Sequence, residues 1–85
     1  MRQLIFDPVA WEHYLEWQRV DKKMTNQINM LILECMRSPF VGRGQPEQLR
    51  HELSGLWSRR INIEHRLVYR VTENAIEIAS CRYHY

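Results

Sequence analysis

One carboxylate, one histidine, several arginines and a tyrosine are the residues of this 85-residue chain that could do chemistry together: Glu47, Arg50, Arg60, Arg66, His84 and Tyr85. His13, His51, His65 and His84 lack zinc-ligand spacing, no glycine-rich nucleotide loop is present, and no serine or cysteine sits in a nucleophile motif. The set therefore calls for no metal and no cofactor. It suffices for cleavage of an RNA phosphodiester: a base takes the ribose 2′-OH proton, cations stabilise the crowded phosphorane, and an acid protonates the departing 5′-oxygen. DNA lacks the 2′-OH and would be spared. His84 suits the proton-passing part, since unperturbed imidazole titrates near neutrality. Composition leaves plainer readings open: Glu47 in a solvated ion pair with Arg50, and Tyr83-His84-Tyr85 as the end of a strand whose aromatics cap the core.

Charge distribution adds to the chemistry. Arg43, Arg50, Arg59, Arg60, Arg66, Arg70 and Arg82 all fall in the second half, which contains no lysine. Guanidinium forks suit bidentate phosphate contacts and stack on bases. The alternatives are a nucleic-acid surface and a solvated sheet face with ordinary ion pairs. The chain has no apolar run long enough for a membrane span and no signal-peptide layout at its N-terminus, so it is expected to be cytoplasmic. Cys35 and Cys81 lie in apolar segments without paired spacing, which fits buried free thiols.

The elements that must position these residues can be read from periodicity. Arg2 to Phe6 is a short apolar strand. Asp7-Pro8 supplies an N-cap and a first-turn proline for a helix whose stripe is Trp11, Tyr14, Leu15 and Gln18, with Trp17 off it, placed to cover a partner or a second edge of the core. Asp21 caps a second helix to about Arg37, with Met24, Ile28, Leu31, Ile32 and Cys35 inward and Pro39 as its stop. The two form an antiparallel hairpin over one face of a sheet. Ser38 to Pro46, with two prolines and two glycines, is the one long loop.

Three more strands are expected, at about Leu56 to Asn62, Arg66 to Val71 and Ala75 to Tyr83. A turn at Glu73-Asn74 pairs Val71 with Ile76, Tyr69 with Ile78 and Leu67 with Ser80, and leaves Arg66, Val68 and Arg70 on the other face with Glu77 across from Arg70. A three-residue loop at Ile63 to His65 sets Ile61 opposite Leu67 and sends Arg60 to the face of Arg66. Strict alternation then puts Tyr83 on the arginine face and His84 on the covered one. For His84 to join the arginines, the last residues must bulge or leave the sheet.

Four segments carry a family resemblance: Pro46-Glu47-Gln48-Leu49-Arg50-His51, Leu53-Ser54-Gly55-Leu56-Trp57-Ser58-Arg59-Arg60-Ile61, Glu64-His65-Arg66-Leu67-Val68-Tyr69 and Cys81-Arg82-Tyr83-His84-Tyr85. Together they resemble the YoeB/Txe toxins, mRNA interferases of the RelE superfamily. Trp11, Tyr14, Trp17, Gln18 and the Ser38-Pro39-Phe40 loop also fit, so the likeness covers essentially all of residues 1–85 as one domain. It implies an α+β, RelE-like (microbial RNase-like) fold, β-α-α-β-β-β, with a mainly antiparallel twisted sheet backed by an α-hairpin. It also implies a ribosome-dependent endoribonuclease that cuts mRNA in the A site and is neutralised by a cognate antitoxin, whose flexible C-terminal segment wraps the toxin.

By position, the resemblance makes Glu47 the general base, His84 the general acid, Arg66 the stabiliser of phosphorane charge, and Tyr85 the residue that orients the scissile phosphate. Arg50, Arg60, Arg59, Arg43 and Tyr83 are the expected RNA- and phosphate-binding set. Such toxins often carry lysine where Arg50 stands. Arginine keeps the charge but does not exchange a proton, so its role here is electrostatic. Toxin dimers occur in the family, and an exposed Trp17 would suit a homodimer interface. The rival from another class is a RelE-like fold acting by contact, as gyrase-inhibiting ParE relatives do. Those relatives lack this Glu, Arg and His-Tyr set. An inactive toxin homologue is the third reading.

Overall fold

A single aspartate does double duty between two helices. In the computed structural model, which describes residues 1–83, α1 spans Pro8–Val20 and α2 spans Lys22–Arg37. The Asp21 backbone N–H donates to the Trp17 carbonyl and ends α1, while its Oδ1 accepts the Met24 N–H at 3.1 Å and caps α2. Tyr14 and Asn29, at similar distances on either side of Asp21, are hydrogen-bonded, so the helices run antiparallel as the periodicity requires. Asp7 makes no side-chain cap. Pro8 already removes one donor there, and the first helical bond runs from Trp11 N to Asp7 O at 2.9 Å.

The five strands among the described residues form one sheet, β1 (Gln3–Phe6), β2 (Glu47–Gln48), β3 (Leu56–Arg60), β4 (Arg66–Val71) and β5 (Ala75–Ser80), in the order β1-β5-β4-β3-β2. β1 lies parallel to β5 and every other pair is antiparallel. The α+β architecture is as expected, with one added piece: Glu47 and Gln48 form a two-residue edge strand where only a loop end was foreseen.

Helix α2 buries the face its sequence advertises, with Ile28, Leu31 and Cys35 at 1 % exposure or less. Helix α1 does not. Its inward residues are Ala10, Tyr14 and Trp17, whereas Trp11 and Leu15 are each 46 % exposed and Gln18 is exposed as well. Ala10 is small enough to let the helix backbone approach the end of β5, and the Trp17 indole finds a polar partner inside, so the helix is turned away from its most apolar stripe.

Two registers depart from simple alternation. Val71 and Tyr69 pair with Ile76 and Ile78 as expected, but a bulge at Ala79 sets Ser80 opposite Val68 instead of Leu67. β3 and β4 pair Arg59 with Leu67 and Arg60 with Arg66, so the connecting loop covers residues 61–65, longer than the three residues expected. Asn62 closes it: its Oδ1 accepts the N–H groups of Glu64 and His65, both at 2.8 Å. Ile61 still reaches the core, from the loop and not from a strand.

Candidate active site

Alternation on β3 divides two adjacent arginines between two environments. Arg59 points under the helices and is fully buried. Its Nε donates to the Tyr69 hydroxyl at 3.1 Å, Nη1 to the Arg43 carbonyl at 3.1 Å, and Nη2 to the carbonyls of Ser38 and Val41, with the Glu34 carboxylate 3.8 Å from Nη1. Every N–H of the fork is thereby directed at an oxygen, which is how a buried guanidinium is tolerated. Arg59 is thus not a phosphate ligand, contrary to expectation. It is the post to which the 38–44 loop is tied. Arg43 stays largely exposed: its backbone N–H bonds to Glu34 Oε1 at 2.9 Å and its Nε lies 3.9 Å from Oε2.

Tying that loop down is what places Glu47. Gly44 sits at φ +81°, and its carbonyl accepts the Arg60 N–H at 2.6 Å. A Cβ there would stand 2.8 Å from the Arg60 carbonyl oxygen, so glycine is needed for the approach as well as for the backbone angle. The chain then enters β2, where Glu47 pairs with Ser58. Ser58 shares a face with Arg60 on β3, and Arg60 stands directly across from Arg66 on β4.

Gly44, Gln45, Glu47, Ser58, Arg60 and Arg66 therefore line a single notch of about 20 Å³. Glu47 also borders a groove of about 830 Å³ lined by Gln48, Leu49, Arg50, His51, Leu53 and Ser54. The structure brings together Glu47, Arg60 and Arg66, with Arg50 in the adjoining groove. Ser58 and Gln45 were not foreseen; Ser58 is 2 % exposed, and the strand pairing that brings it to Glu47 could not be read from a loop-like segment. Among the described residues no three His, Cys, Asp or Glu side chains converge as a metal site would need.

The C-terminal segment arrives at the same place by leaving the sheet. β5 carries a bulge at Ala79 and ends at Ser80, so the residues that follow leave the sheet. Cys81 is buried beneath α1, and Tyr83 adopts φ +62°. The Tyr83 carbonyl accepts the Arg66 backbone N–H at 3.0 Å, which fixes the tail beside that arginine. The Tyr83 ring is 54 % exposed and stacked by Arg82 at 4.8 Å. His84 and Tyr85, the expected acid and orienting residue, lie outside the described residues.

Of the two readings of Trp17, cover for a partner or for a second edge of the core, the structure shows the second. Its indole N–H donates to the Cys81 carbonyl at 2.8 Å, and its ring packs edge-on against His65 at 4.9 Å. His65 Nδ1 accepts the Tyr83 N–H at 2.7 Å, and His13 Nδ1 accepts the Cys81 N–H at 3.2 Å. Burial first, then the charge of Arg82, hold the His13 pKa below its ordinary value, against a smaller opposing effect of Glu12.

Residues 6–85 match the family model described as YoeB-like toxin of bacterial type II toxin-antitoxin system. The chain belongs to this family. It is 54 % identical over 83 residues to Toxin YoeB of Escherichia coli (strain K12), covering 98 % of this chain and 99 % of that one. Among solved structures, a YoeB dimer from Staphylococcus aureus matches with a TM-score of 0.92 at 49 % identity, covering 99 % of this chain and 98 % of that one. A heterotetrameric YoeB-YefM toxin-antitoxin complex from the same organism matches with a TM-score of 0.91 at 49 % identity, covering 100 % and 99 %. No helix among the described residues is long and apolar enough to cross a membrane.

Proposed function

We propose that this toxin is a ribosome-dependent endoribonuclease that cleaves mRNA in the A site by general acid-base attack of the ribose 2′-OH. The observation that supports it most is the convergence of Glu47, Arg60 and Arg66 on one notch of the open sheet face, with Arg50 in the groove alongside. Glu47 accepts the 2′-OH proton, Arg66 and Arg60 stabilise the two negative charges of the phosphorane, and Arg50 holds a neighbouring phosphate. A notch of about 20 Å³ has room for roughly one water, so the scissile phosphate lies across its mouth. His84 supplies the proton to the 5′-oxygen, and Tyr85 orients the phosphate. Both follow directly on Tyr83, whose carbonyl is held by the Arg66 N–H. The reaction needs no metal in this scheme, because side chains carry every proton and charge.

The partners that go with this activity are the ribosome with its mRNA and a cognate antitoxin, whose flexible C-terminal segment wraps the toxin. The YoeB-YefM complex supports the second, and the YoeB dimer supports a homodimer as a further assembly. The test is to map 5′ ends on a defined mRNA in a purified translation system, with wild type and His84→Ala. New 5′-hydroxyl ends at A-site codons, lost in the variant, are expected. Ribosome binding without cleavage by either protein would turn the reading to a contact inhibitor.

A further inference from the structure

Two histidines that the reaction scheme leaves unused do the same thing to the same segment. His13, on α1, and His65, in the β3–β4 loop, each present Nδ1 as acceptor to a backbone N–H of the C-terminal tail, at Cys81 and Tyr83. A strand that has left its sheet has lost its ladder partners, and its backbone groups must be satisfied some other way. Here side chains take over, with the Trp17 indole on the Cys81 carbonyl and the Arg66 N–H on the Tyr83 carbonyl. Tyr83 also pays for φ +62°, a conformation that a bulky residue keeps only when its surroundings impose it.

We propose that His13 and His65 form a paired imidazole clamp that sets the course of the C-terminal tail through Cys81 and Tyr83, beside Arg66. They are positioning residues. Their consequence for cleavage rests on the nuclease reading above; the clamp itself does not. An imidazole accepts at Nδ1 only while that nitrogen is unprotonated. For His13, protonation turns the acceptor into a donor facing the Cys81 N–H, so acid loosens the tail there.

Charged and aromatic groups face both rings. His13 feels Arg82 from the tail and Glu12 from its own helix. His65 has Glu64 Oε1 at 3.7 Å from Nε2, the Trp17 ring edge from α1, and the Tyr83 ring at 5.7 Å from the tail; Arg66 follows it in sequence. For His13 the sign is set by its lowered pKa. Its bond to the Cys81 N–H is whole above the ordinary value of 6.5 and weakens as pH falls below it.

The experiment is amide hydrogen exchange on the full chain, reading the protection of the Cys81 and Tyr83 N–H groups with β5 amides as control, from about pH 7.5 to about pH 5.5. In wild type the Cys81 amide, held by His13, is expected to lose protection about tenfold or more across that range while β5 keeps its own. Asparagine places Oδ1 where Nδ1 stood and does not titrate. The His13→Asn, His65→Asn double variant should therefore recover the protection that His65→Ala loses and hold it across the whole range. Wild-type protection flat with pH, or the same pH dependence in the double variant, overturns the clamp. In single-turnover cleavage on ribosomes, His65→Ala should lose on the order of 10–100-fold in rate with little change in the toxin concentration required. The expected exchange pattern with no cleavage by any protein leaves the clamp standing and removes the nuclease reading.

Discussion

Arg60 and Arg66 stand directly opposite each other across β3 and β4, on the same face of the sheet. Like charges in facing positions oppose strand pairing, so the fold carries a cost there of about 0.2–1 kcal/mol. The pair shares its notch with Glu47, and on the nuclease reading it also meets the scissile phosphate. Arg66→Gln is therefore expected to leave stability unchanged or raise it by about 0.5 kcal/mol, while lowering cleavage by on the order of 10²–10³. Melting curves with and without phosphate check the physical part. Wild type should gain melting temperature from the anion and the variant should not. A variant that melts well below wild type would show the pair to be structural.

Arg59 is expected to behave in the opposite way to its neighbour. Its fork holds Tyr69 and the carbonyls of Ser38, Val41 and Arg43, and it is wholly buried. Arg59→Ala orphans those oxygens together and should cost about 3–5 kcal/mol, a large share of a small domain's stability. Arg59→Lys should fall nearly as far, because one ammonium cannot span the fork's partners. Urea denaturation measures both. A loss under about 1 kcal/mol for Arg59→Ala would mean the loop holds itself.

How much of this could be read from residue order depends on where neighbours intervene. Asp21, the α2 stripe and the Val71–Ile76 and Tyr69–Ile78 pairs are local or short-range, and sequence periodicity locates them. Glu47 and Arg66 were singled out, and the structure brings them together with Arg60. The misreadings share a cause. Arg59 looks like any surface cation until β3 is known to present it to a loop rich in free carbonyls. Trp11 and Leu15 look like core until Ala10 and Trp17 claim that face. The bulge at Ala79 has no glycine to mark it, and one extra residue reverses the faces of all that follows. His65 appears in sequence as one more histidine. Its role exists only because the tail curls back to it.

Cys35 and Cys81 are expected to resist thiol reagents in the folded chain. Burial pushes Cys35 up to about 11, and Cys81, whose thiol donates weakly to the Ala10 carbonyl, up to about 12. The thiolate is the reacting species, so both are doubly protected, by pKa and by access. Mass spectrometry after iodoacetamide treatment near pH 8 should show no adduct without denaturant and two adducts in urea. Rapid labelling of Cys81 alone would reveal that the segment beyond β5 opens locally, apart from the core.

Glu47 offers the sharpest separation of chemistry from fold. It lies in a two-residue edge strand, its side chain is exposed, and it borders both the notch and the groove that holds Arg50. The β2–β3 pairing runs through backbone groups that any side chain leaves in place. Glu47→Ala should accordingly change stability by less than about 0.5 kcal/mol and leave antitoxin binding nearly intact. A positioned general base contributes roughly 10²–10⁴ to rate, so cleavage of ribosome-bound mRNA should fall by that factor. Glu47→Gln, which keeps the shape and removes the basicity, should fall as far, because only the carboxylate can take the 2′-OH proton. If the glutamine variant cuts mRNA at the wild-type rate, proton abstraction belongs to another group, and Glu47 is left with a part in holding the arginines.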